Sequence, residues 1–446
     1  MGAISTTEEV KEQIEDNISN IEVKKEDKID PNKLAALKAK AQSKQENKMP
    51  PRRARSLEFG VIGSGHCGSK LASVFYNDYG YSAVAINTAI QDLKSINIPD
   101  SNKLLLEYGL GGASRELSIG KAAAETHRDS VKKLIEDKLG NSQVFILTFS
   151  LGGGSGAGSS EVLIDILTEI GKPIVVLVAL PMDSDDIQAK SNALETLAKL
   201  ARLAQNKKIQ SLLVIDNSKI EARFHDISQM SLFDVANKAI INPIDAFNTF
   251  SAMSSSSKAL DSMEFSKILL DGESLAIYGE MTVENYQEDT AIAEAIIQDL
   301  ENGLLASGFN LKESKYVGYI VAASQSVWNK INSASINYAN SMIADLCGTP
   351  RNIFKGLYTI DSPEDSVKIY SFFSGLGLPS SRVDQLKTET KELQAKVKQK
   401  DEARNLTLNI DTGHDSISEA QKIKDKISQK SSSFSKFIGG TLDKRK

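Results

Sequence analysis

The sequence predicts an α/β protein with a parallel-sheet domain, a central helix and a smaller α/β second domain. From residue 58 onward, apolar runs of strand length alternate with helical patterns, which is typical of a parallel sheet covered by helices on both faces. The chain of 446 residues is longer than one ordinary domain. After about residue 262 the order of strands and helices changes, which indicates a second domain.

Composition narrows the class of protein. The chain is 41% hydrophobic and 25% charged, which is ordinary for a globular protein that buries a sizeable core. Its net charge of -5 argues against a generic nucleic-acid binder. Two cysteines, Cys67 and Cys347, provide no disulfide framework and favour a reducing compartment. The chain contains neither a signal-peptide pattern nor a membrane-length apolar run, so we expect a soluble, cytoplasmic protein without a membrane partner.

We divide the chain into six segments. They are a disordered N-terminal arm (1–57), the parallel-sheet domain (58–237), a central helix and loop (238–260), the second domain (261–380), a long charged helix (381–405) and a basic flexible tail (406–446). The arm is polar and free of aromatic residues, so it cannot bury enough apolar surface to offset its ordering entropy. Pro243 is expected to kink or interrupt the central helix.

The first glycine turn follows the strand LEFGVIG and opens a helix. Its residues are Gly63, Ser64, Gly65, His66, Cys67 and Gly68. A helix N-terminus presents unpaired N–H groups and a positive dipole end to an anion. Alone, this G-x-G-x-x-G pattern weakly suggests a dinucleotide-binding Rossmann domain. That interpretation requires an acidic residue after the next strand, where the sequence has Asn87 instead, so NAD is disfavoured.

The second glycine turn lies between the apolar run ILTFS and an amphipathic helix. Its residues are Gly152, Gly153, Gly154, Ser155, Gly156, Ala157, Gly158 and Ser159. With almost no side chains, the backbone can wrap phosphate oxygens, and the hydroxyls of Ser155 and Ser159 add donors. No lysine completes a Walker-type loop. A flexible linker or tight strand–helix packing are the alternatives, and the position before an amphipathic helix disfavours a linker.

This second turn resembles the GGGTGTGS-like hallmark of the tubulin/FtsZ family. The resemblance extends in order from Gly60 to about Pro379, through GSGHCGSKL, AINTAIQDL and GLGGASRELSIGKAAAE, the last resembling the γ-phosphate loop. It implies a tubulin/FtsZ-like fold in which residues 58–237 bind GTP or GDP with Mg²⁺, without a separate metal site. By this likeness Gly111, Gly112 and Ala113 approach the phosphates.

The resemblance also assigns the nucleoside contacts. Asn217, Phe233 and Asn237 match residues that contact guanine. A neutral amide can pair with guanine's mixed donor and acceptor edge, and a phenyl ring can cover its face. Asp183 or Asp185 would accept a ribose hydroxyl, although PMDSDD departs from the FtsZ pattern.

Cys67 has two interpretations. By the likeness to tubulin it lies beside the nucleotide, and otherwise it is a small buried hydrophobic residue.

The segment LDSMEFSKIL resembles the acidic loop that α-tubulin inserts into the next subunit's nucleotide site. The likeness makes Asp261 and Glu264 the catalytic pair, and implies a head-to-tail filament of this chain that hydrolyses GTP at its subunit junctions. A spacing of three puts both carboxylates on one face at a helix start. On spacing alone an N-terminal cap is the better explanation. The family's asparagine is replaced here by Ala259.

The C-terminal third resembles TubZ and related phage or plasmid tubulins. In those relatives the filament moves or positions DNA, and the tail engages a DNA-bound adaptor. The basic tail of this chain is suited to DNA or to an acidic adaptor, or else it is a solvated end. Two alternative functions stay open: a tubulin-fold structural or interaction protein with little or no GTPase activity, and a Rossmann oxidoreductase, which lacks the required acid.

Overall fold

The computed structural model describes residues 53–228 and 231–408. Their ten strands are β1 Phe59–Ser64, β2 Ser82–Asn87, β3 Lys103–Leu105, β4 Val144–Ser150, β5 Ile174–Leu180, β6 Ser211–Asp216, β7 Ser274–Val283, β8 Tyr316–Ala323, β9 Asn352–Thr359 and β10 Val367–Leu376. Their α-helices are α1 Gly65–Asn77, α2 Ile90–Lys94, α3 Leu117–Thr126, α4 Arg128–Leu139, α5 Gly154–Ile170, α6 Ile187–Gln205, α7 Asn217–Arg223, α8 Leu232–Phe250, α9 Ser262–Leu270, α10 Ala291–Asn302, α11 Gln325–Trp328, α12 Ser333–Leu346 and α13 Ser380–Leu408.

All ten strands belong to one sheet, in the order β3-β2-β1-β4-β5-β6-β7-β10-β8-β9. The strands from β3 to β6 are parallel, which confirms the predicted sheet. β7 joins them in parallel through only three residue pairs, Ser211–Leu213 with Ser274–Ala276. β10 is antiparallel to β7 and β8, and β9 is parallel to β8. The second domain therefore extends the sheet of the first one.

Strand burial follows the apolar runs of the sequence. Every residue of β1, β5 and β6 is buried, as expected for strands covered on both faces. The short edge strand β3 was not predicted. It has three half-buried residues and pairs only with the end of β2, so its pattern is too short to be distinguished from a loop.

The central helix α8 continues from Leu232 to Phe250 through Pro243, so the predicted interruption was wrong. A proline in a helix interior costs about 3 kcal/mol through its lost hydrogen bond and steric clash. Ile240, Ile244 and Phe247 on this helix are fully buried. Packing of these side chains supplies more than the proline removes, and the helix stays continuous.

The last residues that we assigned to the N-terminal arm belong to the folded unit. The guanidinium of Arg55 lies 3.7 Å from the ring centre of Tyr81 and is almost fully buried. The backbone N–H of Leu57 donates to Oδ1 of Asn248 at 2.8 Å. Residues 1–52 of the expected arm and 409–446 of the expected tail lie outside the described residues.

Within residues 53–228 and 231–408, no helix is both long and apolar enough to cross a bilayer.

A cavity of about 370 Å³ lies between α8, β7 and α10. Its wall includes Asp299, a 5% exposed residue that packs directly on Gly279, where a Cβ would overlap the carboxylate. Burial raises the pKa of Asp299 to about 6, while the charge of Arg223 lowers it in part and Glu280 raises it. The folded protein therefore holds a proton on this carboxyl group more tightly than the unfolded chain does.

This shift predicts a pH-dependent term in stability. Because the folded pKa exceeds the unfolded one, Asp299 favours folding at low pH, and this contribution is lost as pH rises from about 4 to 6. Asp299→Asn removes the titration. We expect the free energy of unfolding of the wild type, relative to that of the variant, to fall by about 2 kcal/mol between about pH 4.5 and about pH 7.5.

Urea unfolding at half-unit pH steps measures this difference. Glu301→Gln, on an exposed position of the same helix, is the control and should follow the wild type. Parallel pH profiles for wild type and Asp299→Asn would contradict the assignment.

Candidate functional site

The two glycine turns lie side by side at the carboxyl edge of the sheet. β1 and β4 are parallel neighbours, with Gly63 opposite Thr148. α1 begins at Gly65 immediately after β1, and α5 begins at Gly154, four residues after β4 ends. Parallel strands end at the same sheet edge, so the starts of both helices are brought together.

Both helices begin without a side-chain cap. Ser64, at the cap position of α1, accepts no cap hydrogen bond, and Gly153, at the cap position of α5, has no side chain to offer. A Cβ on Gly65 would lie 3.0 Å from the backbone nitrogen of Gly156, so the two first turns are in contact. Unpaired N–H groups and two positive dipole ends at one place are suited to an anion.

The hydroxyls of the turns have different environments. Ser64 Oγ and Ser159 Oγ lie 2.8 Å apart, both buried, and Ser159 also bonds to the carbonyl of Gly156. Contrary to our expectation of a phosphate donor, Ser159 is therefore engaged in holding the two turns together. Ser155 is half-buried, with its Oγ 2.6 Å from Oγ1 of Thr88, and remains a candidate donor.

Tight packing, which we weighed as an alternative, accounts for part of the glycine content. A Cβ on Gly156 would lie 2.8 Å from the carbonyl oxygen of Ser64, and one on Gly158 would lie 2.4 Å from that of Leu117. Gly153 is different, because the nearest atom to its Cβ position, the carbonyl oxygen of Ser150, is 3.8 Å away. Among the glycines of this turn, Gly153 is therefore the one whose backbone has free space beside it.

Two further residues of this turn face the protein. A Cβ on Gly152 would lie 3.0 Å from the carbonyl oxygen of Ala189, and the Gly152 carbonyl accepts a hydrogen bond from Asn192. Ala157 is buried in the hydrophobic core.

A third loop between β3 and α3 meets these turns. Its left-handed residues are Gly109, Gly111, Gly112, Ser114 and Arg115. The N–H of Gly112 donates to the carbonyl of Thr88 at 2.9 Å, and a Cβ on Gly154 would lie 2.9 Å from the Cβ of Ala113. A Cβ on Gly112 would meet nothing within 4 Å, so this backbone is open on one side. The predicted γ-phosphate loop is therefore adjacent to the second turn.

Asn87 and His66 are connected through Asp92, which the sequence analysis missed. The amide of Asn87 donates to Oδ2 of Asp92 at 2.9 Å, and Nδ1 of His66 lies 3.1 Å from Oδ1. Asn87 is buried, whereas His66 is half exposed.

Burial raises the pKa of the neighbouring Cys67 thiol to about 11, so it is protonated at neutral pH, in line with a packing role.

The predicted guanine residues lie on two helices. Asn217 is the first residue of α7, and Phe233 and Asn237 are one turn apart on α8, hence on the same face. Asn237 is 6% exposed. Within the described part of the chain, neither asparagine side chain forms a hydrogen bond, so both amides have donors and acceptors to offer a base.

The predicted ribose loop is held by charges from distant elements. Oδ1 of Asp183 accepts hydrogen bonds from Ser218 Oγ at 2.8 Å and from Arg382 Nη2 at 3.0 Å. Asp185 accepts from Arg115 Nη2 at 3.2 Å. Of the two candidates, Asp183 has the more exposed side chain, 55% against 29%.

Asp261 and Glu264 form a complete capping box on α9. Oδ1 of Asp261 accepts the N–H of Glu264 at 2.8 Å, and Oε2 of Glu264 accepts the N–H of Asp261 at 3.0 Å. The structural explanation of the spacing is therefore correct, whatever else these carboxylates do. Asp261 remains exposed, so its second oxygen is open to the surroundings.

This acidic pair lies at the opposite end of the sheet from the glycine turns. Oγ of Ser262, the first residue of α9, is 2.7 Å from Oγ of Ser56, three residues before β1 begins. The first glycine turn follows the other end of the same six-residue strand. A strand of that length spans about 20 Å. The acidic pair is therefore remote from the phosphate loops of its own chain.

No cluster of three or more His, Cys, Asp or Glu side chains suited to a metal occurs in the described ranges. Sequence reasoning also missed Arg115 and Arg382, which organise the ribose loop. Nothing in the sequence pattern identifies Arg382, since its partner Asp183 is 199 residues away.

Two family models match consecutive parts of the chain. The Tubulin/FtsZ family GTPase domain matches residues 41–224, and the C-terminal domain of TubZ-like Tubulin/FtsZ-like proteins matches 246–387. The tubulin-like protein CetZ of Pyrococcus horikoshii is 28% identical over 71% of this chain and 85% of its own length. The tubulin-like protein TubZ of Bacillus cereus is 24% identical over 83% of this chain and 92% of its own.

Solved structures agree on the fold. TubZ of Bacillus thuringiensis serovar israelensis, in a GTPγS-form protofilament, superposes with a TM-score of 0.69, 19% identity and coverage of 78% of this chain and 95% of that one. The GTPase-domain model covers β1 to β6 and the C-terminal model covers β7 to β10, while most of the central helix α8 lies between the two matches. This chain therefore belongs to the tubulin/FtsZ family of GTPases, with a TubZ-like C-terminal domain.

Proposed function

We propose that this chain binds GTP, assembles head to tail into filaments and hydrolyses GTP at each subunit junction. The observation that carries the proposal is the placement of the acidic pair and the glycine turns at opposite ends of β1. Stacking subunits in one direction brings Asp261 of one subunit to the phosphates of the next. An isolated subunit cannot make this contact.

The phosphates are held by backbone rather than by basic side chains. The first turns of α1 and α5 supply N–H groups, Gly153 provides close backbone approach, and Ser155 provides a hydroxyl. Because this cradle is fixed by the sheet, its dipoles need little reorganisation when charge develops during phosphoryl transfer.

Guanine is selected by the amides of Asn217 and Asn237, with Phe233 against the ring face. Asp183 accepts a ribose hydroxyl through the oxygen that is not bonded to Ser218 and Arg382. Recognition of both base edge and sugar gives preference for a guanine ribonucleotide over adenine or deoxy analogues.

Hydrolysis requires an oriented water at the γ-phosphate. Asp261 and Glu264 of the neighbouring subunit position this water, and the capping box keeps their carboxylates at fixed places. Mg²⁺, which prefers phosphate and water oxygens, fits a site with hydroxyls and no acidic cage, and would neutralise phosphate charge.

Two observations favour the alternative of a filament protein with little GTPase activity. Each acidic side chain is engaged with the other's backbone, and Ala259 replaces the family's asparagine in the same loop. Turnover measurements distinguish the two functions.

We infer that the filament positions plasmid or phage DNA in the cytoplasm. The support is the TubZ-like C-terminal domain together with the basic composition of residues 406–446, which suits DNA or a DNA-bound adaptor.

Shared active sites make activity depend on assembly. We expect the GTPase rate per subunit to rise with protein concentration above a threshold, because monomers lack the acidic pair at their own phosphates. Phosphate release measured beside sedimentation tests this. A specific activity that stays constant with concentration would contradict a site made by two subunits.

Asp261→Asn separates catalysis from capping. Asparagine caps a helix about as well as aspartate, so we expect unfolding free energy within about 0.5 kcal/mol of wild type. Without the carboxylate charge, turnover should fall by about 100-fold while GTP binding and filament formation persist.

Glu264→Gln also preserves the capping box and should likewise lower turnover, because Glu264 is the second member of the proposed catalytic pair. Asp261→Ala removes both cap and charge, and should also lose about 1 kcal/mol of stability. Normal turnover by Asp261→Asn in sedimenting filaments would exclude Asp261 as the catalytic group.

Gly153→Ala tests the phosphate cradle. Gly153 has φ -82° and ψ 151°, which alanine adopts freely, and no neighbour within 3.5 Å of the added methyl group. Stability should change by less than about 0.5 kcal/mol, while GTP affinity falls about tenfold because the methyl group blocks close approach. Gly158→Ala is the contrast, because crowding against Leu117 should cost about 1–3 kcal/mol. Thermal unfolding and GTP titration of both variants decide; unchanged affinity in Gly153→Ala would place the phosphates elsewhere.

A further inference from the structure

The C-terminal helix α13 is joined to the ribose loop through one buried arginine. Arg382, on the first turn of this helix, has a side chain only 5% exposed. Its Nε donates to Oδ2 of Asp216 at 2.8 Å, and its Nη2 donates to Oδ1 of Asp183 at 3.0 Å. The same Nη2 lies 3.2 Å from Ser218 Oγ. One guanidinium therefore bridges the ribose loop and the start of α7.

These partners are the elements that carry the predicted nucleoside contacts. Asp216 caps α7, whose first residue is Asn217, by accepting the N–H of Ser218 at 3.1 Å. The N–H of Asp183 donates a hydrogen bond to Ser218 Oγ, and the same hydroxyl donates one to Oδ1 of Asp183. The guanine element and the ribose element are thus fixed to each other by Ser218 and Arg382.

A second contact connects the ribose loop to α13, and it runs through Lys190. Nζ of Lys190, itself 3% exposed, donates to the carbonyl of Asp183 at 2.7 Å and to Glu389 Oε2 at 2.8 Å. Glu389 lies two helical turns after Arg382 on α13. Backbone and side chain of Asp183 are therefore both held by groups that depend on this helix.

The negative charges of Asp216 and Asp183 are compensated by Arg382 only while α13 is packed against them. Burial opposes the charge of Arg382, but Asp216 and Asp183 together raise the pKa of its guanidinium. Burial likewise raises the pKa of Asp216, and Arg382 lowers it in part. Removing Arg382 leaves buried Asp216 without its counter-charge, and this cost is relieved either by protonation of the carboxyl group or by movement toward water.

We propose that Arg382 is a positioning residue for nucleotide binding, through which docking of the C-terminal helix sets the ribose loop. It holds Asp183 in place for the ribose hydroxyl without touching the nucleotide, whereas α7 keeps its cap on Asp216 through the N–H of Ser218. This inference rests on the proposed GTP binding. By linkage, nucleotide that uses the loop stabilises docking of α13, and whatever pulls α13 away weakens nucleotide binding by the same factor.

The test compares affinities of the full-length chain for GTP and for 2′-deoxy-GTP. In wild type, GTP should bind more tightly because Asp183 is in place. Arg382→Gln should weaken GTP binding about tenfold and 2′-deoxy-GTP binding by less than about threefold, so that the preference disappears. Arg382→Lys keeps the charge without the two-nitrogen fork and should restore part of the preference.

The control variant is Lys387→Gln. Lys387 is a cation on the same helix, more than half exposed, and among the described residues it is paired only with Asp384 on its own helix. It should keep both affinities and their ratio. A general loss of folding in Arg382→Gln would weaken both nucleotides equally, whereas lost positioning changes the ratio.

Amide hydrogen exchange of the wild-type protein provides a measurement that does not depend on variants. GTP should slow exchange at residues 381–390 at least about threefold, and 2′-deoxy-GTP should slow it less. Residues 394–404, which are mostly exposed, serve as the internal reference and should not change.

Three results are distinguishable. Wild type that ignores GTP would overturn the proposed function itself. Wild type that binds GTP with the same nucleotide ratio as folded Arg382→Gln, or without any change in exchange at 381–390, would overturn the positioning role alone. Lost preference in Arg382→Gln, partial return in Arg382→Lys and slowed exchange together support it.

Discussion

The parallel pairing of β1 with β4 is the constraint on which the site depends. It aligns two strands so that both following helices begin at one edge, and backbone contact between the starts of those helices leaves no room for side chains. A Cβ on Gly68 would overlap the carbonyl of Thr148 on β4, so α1 can pack this closely on the strand only with glycine at this position. The third loop then packs through Ala113 onto Gly154. The proposed anion site is therefore a consequence of strand register rather than of any single loop.

The strands and the first two glycine turns were predictable because alternating apolar runs and glycine turns are local signals. The third loop at this edge was assigned only through the resemblance of its sequence to the family's γ-phosphate loop. The continuous helix through Pro243 was not predictable in this way, because the buried side chains that sustain it are contributed by tertiary packing. β3 was missed because three edge residues carry no periodicity.

The organisation around the site was mostly invisible in the sequence. Asp92, Arg115 and Arg382 act on predicted site residues through ion pairs and hydrogen bonds, and two of these contacts join segments 70 and 199 residues apart. The glycines of the second turn illustrate a related limit. A phosphate cradle and a close helix contact require the same residue type, so the sequence cannot separate Gly153 from Gly158, and only the distances around each Cβ position do. Asp261 and Glu264 present the same ambiguity, since a capping box and a catalytic pair share one spacing.

The long helix α13 has two parts that differ in environment, and this gives the Arg382 contact a mechanical meaning. Its first eleven residues include buried Arg382, Leu386 and Thr390, while from 391 to 403 nearly every side chain is exposed. Because peptide hydrogen bonds run along the whole helix, binding at the exposed part of α13 can act on the buried ion pair at its start. Breaking a buried ion pair costs several kcal/mol. A partner that binds the exposed part of α13 therefore undocks the helix only if its binding supplies a comparable free energy. The ribose loop is then linked through Arg382 to the exposed outer half of α13. The acidic pair, at the far end of β1, takes no part in this link. In the proposed filament, nucleotide occupancy and engagement of the C-terminal helix can therefore be coupled within a subunit, while hydrolysis would depend on the contact between subunits.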